Sequence, residues 1–243
     1  MRSLEFPTEP EPISIDLFRS SLIVVDMQNA FLSPGGMFDL IGFDILRLRR
    51  IIKPLKNVLN YSRRCGLKII YLRQAYSQDL SDSGGIESPN YWKEYGLVLL
   101  RKKPDLRDKL LIKGKWGTEI IDEVKPLPGE IIIDKQRYSG FVNTELEEIL
   151  RSLNIKYLFF TGIALNICVE STVRDAFFRD FWPIVISDCC EAIGPKYTKR
   201  VTLWNINQLF GWTITSRKYI KTLREAVKSD VSKQDKYEEF TSP

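Results

Sequence analysis

Residues 21–27 read SLIVVDM, a short apolar run that ends in a carboxylate. Runs of the same kind recur along the chain at 67–73, 130–135, 157–162, 182–188 and 211–216. They are rich in Ile, Val, Phe and Tyr and scarcely alternate with polar residues, which is typical of parallel strands buried on both faces. The longer segments between them space apolar residues three and four apart, which predicts helices at 43–66, 143–154, 166–180 and 195–210.

This alternation predicts an α/β fold: a doubly wound, mostly parallel six-stranded sheet with helices on both faces. No repeat or linker divides the chain, so we expect a single domain over residues 1–243. Its core is expected at about 18–225, followed by a polar tail at about 228–243. The segment 74–129 is long for a simple connection, and its aromatic and glycine content predicts a lid or pocket wall.

The composition excludes several kinds of chemistry. The chain has no histidine, so no imidazole can act as general base, proton shuttle or metal ligand. Its net charge of +5 comes from interspersed charges, which favours a solvated surface over a nucleic-acid surface. The four cysteines lack the spacing of a disulfide framework, the polar start fits no signal peptide, and no run reaches the roughly 18 apolar residues of a membrane span. We therefore expect a cytoplasmic protein that does not bind a membrane.

Three reactive side chains follow predicted strands. Asp26 closes the first run, Lys135 closes the run at 130–135, and Cys168 lies just past the run at 157–162. The carboxyl ends of parallel strands share one edge of the sheet, where ligands bind. If Asn166 caps the next helix, Cys168 lies in its first turn, where backbone N–H groups lower a thiol pKa. The pattern suggests a nucleophilic Cys168 with Asp26 as its base, although each residue taken alone more often has a structural role.

Three segments resemble the isochorismatase-like cysteine hydrolases: IVVDMQNAF at 23–31, IDKQRYSGFVNTEL at 133–146 and TGIALNICVESTVRDAF at 161–177. The resemblance implies the fold of that family, with a catalytic triad of Asp26, Lys135 and Cys168. It also implies a cis peptide bond before Ala164. The backbone N–H groups of Ala164 and Cys168 would form the oxyanion hole.

The resemblance further implies an activity. It points to a cysteine amidohydrolase that cleaves the C–N bond of a small ureido or carbamoyl substrate through a thiol acyl-enzyme. We expect no metal and no other cofactor, because the metal-binding branch of the family uses histidines. The family likeness also suggests a homo-oligomer, either a dimer or a tetramer. Residues expected in the substrate pocket are Phe31, Gln74, Tyr76, Asn90 and Tyr138.

Two alternatives stay open at this point. The same site would suit an N-carbamoyl amino acid, biuret or another small amide. The second alternative is a catalytically degenerate member that binds a small molecule or a protein. Leu165 motivates it, because the family usually has a small hydroxyl residue at this position and a bulky side chain there would block the pocket.

Overall fold

A parallel sheet of six strands forms the centre of the computed structural model, which describes residues 3–226. In chain order the strands are β1 (Ser3–Phe6), β2 (Ile13–Asp16), β3 (Ser20–Val25), β4 (Lys68–Gln74), β5 (Ile131–Lys135), β6 (Tyr157–Gly162), β7 (Trp182–Cys190) and β8 (Trp212–Ile214). The sheet has the order β5-β4-β3-β6-β7-β8, and every pairing in it is parallel. The predicted α/β fold is therefore confirmed. The tail expected at 228–243 lies outside the described residues.

Helices cover both faces of the sheet. The helices are α1 (Asn29–Leu32), α2 (Met37–Leu40), α3 (Ile45–Arg49), α4 (Ile52–Arg64), α5 (Pro89–Lys93), α6 (Tyr95–Lys102), α7 (Leu146–Ser152), α8 (Glu170–Phe177) and α9 (Tyr197–Asn205). Residues 216–226 are also helical. Short 3-10 turns lie at Leu17–Arg19, Pro104–Lys109, Trp116–Thr118 and Asp122–Val124, and π-helical turns lie at Leu165–Val169 and Ile206–Phe210.

Strand β3 shows how the sequence produces this layering. All of its residues are buried, and successive side chains of a strand point to opposite faces. Leu22 and Val24 join the apolar cluster that includes α4, whereas Ile23 and Val25 join the cluster that includes α7 and α8. A central strand that contacts helices on both sides needs apolar residues at every position, which explains the lack of alternation in SLIVVDM.

The N-terminal residues form a hairpin that the sequence analysis did not predict. Strands β1 and β2 pair antiparallel, and Phe6 and Ile15 are fully buried. The ring of Phe6 lies 5.2 Å from that of Phe159 and 5.9 Å from that of Tyr219. The apolar core therefore begins before the expected boundary at about residue 18, because the short segment ISID alternates inward Ile with outward polar residues.

The long segment 74–129 folds over the carboxyl edge of the sheet. It contains α5, α6 and three 3-10 turns, and isolated bridges join Tyr76 to Ile112 and Gln28 to Ile120. These bridges fix the segment beside the ends of β3 and β4. Within residues 3–226, no helix combines the length and apolarity needed to cross a bilayer.

Candidate active site

Asp26, Lys135 and Cys168 meet at the carboxyl edge of the sheet. Asp26 follows β3, Lys135 ends β5, and Cys168 follows β6. Lys135 Nζ donates a hydrogen bond to Asp26 Oδ2 at 2.9 Å, and the two side chains are 0% and 1% exposed. The thiol of Cys168 interacts with both of them and is also buried. The structure thus places a thiol close to a carboxylate–ammonium pair and away from solvent.

The backbone positions the carboxylate of Asp26. Its φ of 51° lies in the left-handed region, which Asp tolerates better than most side chains. Its N–H donates to the carbonyl of Leu72 at 2.9 Å, and its Oδ1 accepts from the N–H of Gln74 at 3.0 Å. Asp26 is therefore held to β4 through both backbone and side chain, and its second oxygen is left to Lys135.

Lys135 is a fully buried cation that donates three hydrogen bonds. Besides Asp26, its Nζ donates to Gln74 Oε1 at 2.7 Å and to the carbonyl of Arg137 at 3.3 Å. Burial lowers the pKa of Lys135, but the charge of Asp26 and the hydrogen bond to it oppose this effect, and the net result is a raised pKa. Lys135 therefore stays positively charged in this apolar environment.

The thiol of Cys168 has a pKa well above its ordinary value. Burial is the main cause, the charge of Asp26 adds to it, and the charge of Lys135 acts in the opposite direction. Cys168 is therefore protonated as a thiol in this environment, and the carboxylate of Asp26 lies beside it.

The turn that carries Cys168 differs from the expected one. Residues Leu165–Val169 form a π-helical turn with Ala164 at its N-cap position, so the prediction that Asn166 caps the helix is wrong. The side-chain oxygen of Asn166 instead accepts from the N–H of Ile193 at 3.0 Å. This bond ties the turn to the segment after β7. Cys168 nevertheless lies near the start of a helical segment that continues into α8.

The backbone around Ala164 has the features that the family likeness implied. The peptide bond between Ile163 and Ala164 is cis, and Ala164 and Cys168 both line the pocket. The side chain of Leu165 is fully buried within the apolar cluster on the α8 face, and Leu165 is not among the residues that line the pocket. The structure therefore contradicts the idea that this side chain blocks the site.

A small pocket lies above Cys168, and the empty space in the pocket and at its solvent-open mouth is about 370 Å³. Three of the expected substrate-binding residues, Phe31, Gln74 and Tyr138, line it. Tyr76 and Asn90 do not. The hydroxyl of Tyr76 accepts from Gln74 Nε2 and from Asn90 Nδ2, each at 3.0 Å. Tyr76 and Asn90 thus lie behind Gln74 and fix its orientation, so their assignment as pocket residues is corrected.

The sequence analysis missed several residues of the pocket. Further lining residues are Phe38, Glu94, Tyr95, Ile163 and Ile167. Glu94 caps α6, with its two oxygens accepting from the N–H groups of Gly96 at 3.0 Å and Leu97 at 2.8 Å. It is 4% exposed, and burial raises its pKa. The only sequence signal for it is an acidic residue just before an apolar helix, which identifies a cap but not a pocket.

No metal site is evident in the part of the chain that the structure describes. Over residues 3–226, no three Cys, Asp or Glu side chains are grouped as metal ligands would be.

A buried thiol, carboxylate and ammonium at the edge of a doubly wound sheet define the class of cysteine-containing α/β hydrolases. Residues 20–218 match the family model of the isochorismatase domain. The chain belongs to the isochorismatase family and is an isochorismatase-like hydrolase. Its relatives include the ureidoacrylate amidohydrolase RutB of Caulobacter segnis, which is 44% identical over 210 residues, or 86% of this chain and 88% of that protein.

Other known proteins agree in fold. RutB of Rhizobium rhizogenes is 38% identical over 94% of this chain and 93% of that protein. The crystal structure of a cysteine hydrolase from Pseudomonas syringae pv. phaseolicola matches with a TM-score of 0.71 and 25% identity over 93% of this chain and 99% of that chain. N-carbamoylsarcosine amidase from Thermoplasma acidophilum matches with a TM-score of 0.62 and 26% identity over 82% and 96% of the two chains.

Proposed function

We propose that this protein is a cysteine amidohydrolase that cleaves the C–N bond of a small, ureidoacrylate-like ureido or carbamoyl compound. The observation that carries the proposal is the buried contact of the Cys168 thiol with the Asp26–Lys135 pair at the base of a small pocket. The relatives that are named ureidoacrylate amidohydrolases support the choice of substrate class.

The first step forms the nucleophile. Asp26 accepts the proton of the Cys168 thiol, and the thiolate attacks the ureido carbonyl carbon. Lys135 remains bonded to Asp26 and balances the negative charge as it passes from carboxylate to thiolate. The backbone N–H groups of Ala164 and Cys168 stabilise the oxyanion of the tetrahedral intermediate.

The second step breaks the C–N bond. The tetrahedral intermediate collapses, the protonated Asp26 gives its proton to the leaving nitrogen, and the amine departs. The carbamoyl group stays on Cys168 as an S-linked thiocarbamate. Water then attacks its carbonyl carbon while Asp26 accepts a proton from the water. Asp26 passes this proton to the departing sulfur, which releases carbamate and restores the thiol. The carbamate decomposes to ammonia and carbon dioxide.

A second substrate group has specific support. N-carbamoylsarcosine amidase shares this fold at 26% identity, so N-carbamoyl amino acids and biuret are tested beside ureidoacrylate. The hypothesis of a non-catalytic binding protein depended on Leu165 blocking the pocket. Leu165 is buried in the core and does not line the pocket, so this hypothesis has no support.

The experiment is a screen for ammonia release from ureidoacrylate, biuret, an N-carbamoyl amino acid and nicotinamide. We expect release from at least one ureido compound and a loss of about a thousandfold or more in the Cys168→Ala variant. Cys65→Ala is the matched control, because Cys65 lies outside the pocket, and it should keep native activity. Equal activity of the Cys168→Ala and Cys65→Ala variants would show that the nucleophile is misassigned.

We also propose that the chain works in the cytoplasm as a homo-oligomer, either a dimer or a tetramer. Large apolar side chains are exposed around α8 and α9: Phe178 is 65% exposed, Trp204 60% and Leu209 58%. Burying such side chains against a second copy would remove apolar surface from water.

A further inference from the structure

Glu94 gives the pocket a second carboxylate besides Asp26. Among the lining residues that the structure describes there is no lysine or arginine. Lys135 lies beneath the pocket, and its three hydrogen bonds go to Asp26, Gln74 and the carbonyl of Arg137. Lys135 therefore balances the charge of Asp26, and no cation among the described lining residues balances the carboxylate of Glu94.

The carboxylate of Glu94 retains capacity for a ligand. Its two oxygens accept from two backbone N–H groups, whereas an ionised carboxylate has about four acceptor positions. The other walls of the pocket are largely aromatic, with Phe31, Phe38, Tyr95 and Tyr138 among them. In such surroundings charges interact more strongly than in water. An N–H group of a substrate would be bound here, and a carboxylate would be repelled.

We propose that Glu94 determines specificity by selecting ureido compounds whose second end is uncharged and donates a hydrogen bond, such as a carboxamide, over compounds that end in a carboxylate. The inference rests on the proposed function and narrows its substrate class. Ureidoacrylate itself ends in a carboxylate, so it would be the poorer of two otherwise matched substrates.

The test uses ureidoacrylate and its amide, ureidoacrylamide, which have nearly the same size and differ in the charge at one end. We expect the native enzyme to show a kcat/KM for the amide at least about tenfold above that for the acid, since like charges brought together are strongly disfavoured. In Glu94→Gln, which has nearly the same shape, this ratio should fall about tenfold or more, mainly through a lower KM for the acid.

Glu87→Gln is the matched control, because it removes one negative charge from an exposed position on the same segment; it should leave the ratio unchanged. If Glu94→Gln fails to fold, Glu94→Ser supplies a capping hydroxyl without a charge in the pocket and should shift the ratio in the same direction. A native preference for the acid, or a ratio that neither Glu94 variant changes, overturns the inference while leaving the proposed function intact. If the native enzyme hydrolyses neither compound nor any other ureido compound, the proposed function itself fails, and the inference with it.

Discussion

Asp26 has two opposing effects on the thiol beside it. Its negative charge raises the pKa of Cys168, and yet its carboxylate is the base that we propose for the same thiol. The two effects are compatible in the proposed mechanism, because one proton passes between Cys168 and Asp26 and the negative charge is on one of them at a time. Lys135 stabilises the pair in either arrangement.

This coupling predicts opposite effects of Asp26→Asn on two measurements. Removing the carboxylate lowers the pKa of Cys168, so the thiolate fraction at a fixed, mildly alkaline pH rises. Alkylation of Cys168 by iodoacetamide, followed by mass spectrometry, should therefore become faster. Ammonia release should fall by about a hundredfold or more, because no group returns the proton to the leaving nitrogen.

Alkylation of Cys189 and Cys190 serves as the internal control for this variant. Both thiols are fully buried, so their modification should stay slow unless the variant is unfolded. Slower alkylation of Cys168 in a folded Asp26→Asn variant would contradict the shared-proton model.

The residues at strand ends could be predicted from the sequence, whereas Glu94 and Tyr95 in the segment 74–129 could not. Asp26 and Lys135 each follow a run whose apolar composition marks a buried strand, and so the edge they share could be predicted. Glu94 lies in a segment without such a pattern. Tyr76 was predicted to line the pocket because a sequence does not show on which side of Gln74 a neighbouring residue lies. In the structure Tyr76 contacts Gln74 from the side that faces away from the pocket.

The junction between β3 and β6 illustrates how elements position the site. Gly162 ends β6 with a φ of 109°, and a Cβ at this position would lie 2.0 Å from the carbonyl oxygen of Val25. Two residues later the chain reaches Ala164 and the turn that carries Cys168. The close contact between the strands therefore sets where Cys168 lies relative to Asp26.

Gly162→Ala should be strongly destabilising. The methyl group overlaps the backbone of β3, and the left-handed φ adds strain, for a total of about 3 kcal/mol or more. For a chain of this size, the melting temperature should fall by about 6 to 12 °C. Gly129→Ala is the control: Gly129 has a φ of 88°, but a Cβ there meets nothing within 4 Å. A similar fall in melting temperature in both variants would mean that the backbone φ alone, and not the contact with β3, requires glycine at position 162.

The predicted helices lie at the right places in the chain, but one of them is interrupted. The single helix expected at 43–66 is divided into α3 and α4. Pro54 lies in the first turn of α4, where its missing N–H costs nothing, whereas in the interior of one long helix it would break the hydrogen-bond ladder. The π-helical turn at Leu165–Val169 has no comparable signal, since it depends on contacts with the segment after β7.

At the scale of the whole molecule, the exposed apolar side chains around α8 and α9 predict self-association. Light scattering after gel filtration should give the mass of a dimer or a tetramer. The double variant Phe178→Asp and Trp204→Glu should shift the mass towards the monomer, because both side chains are largely exposed in the single chain and a charge would be costly in an apolar interface.

Phe18→Asp provides the control for this prediction. Phe18 is 73% exposed and lies on the 3-10 turn before β3, which is not part of α8 or α9. It should leave the mass unchanged. A monomeric native chain, or dissociation caused equally by Phe18→Asp, would rule out the α8–α9 surface as the interface.

The order of strands in the sheet also determines the stage of synthesis at which the sheet can form. Strand β3 is synthesised early, but its two neighbours are β4 and β6, and the second of these ends only at Gly162. The partner of Asp26, Lys135, is 109 residues further along the chain. A ribosome that has translated the chain as far as β4 has thus produced a central strand without one of its neighbours and a carboxylate without its counter-ion. Parallel sheets assembled from such distant segments form slowly. The nascent chain therefore completes its sheet only after translation has passed β6, and until then the apolar strand β3 is incompletely covered.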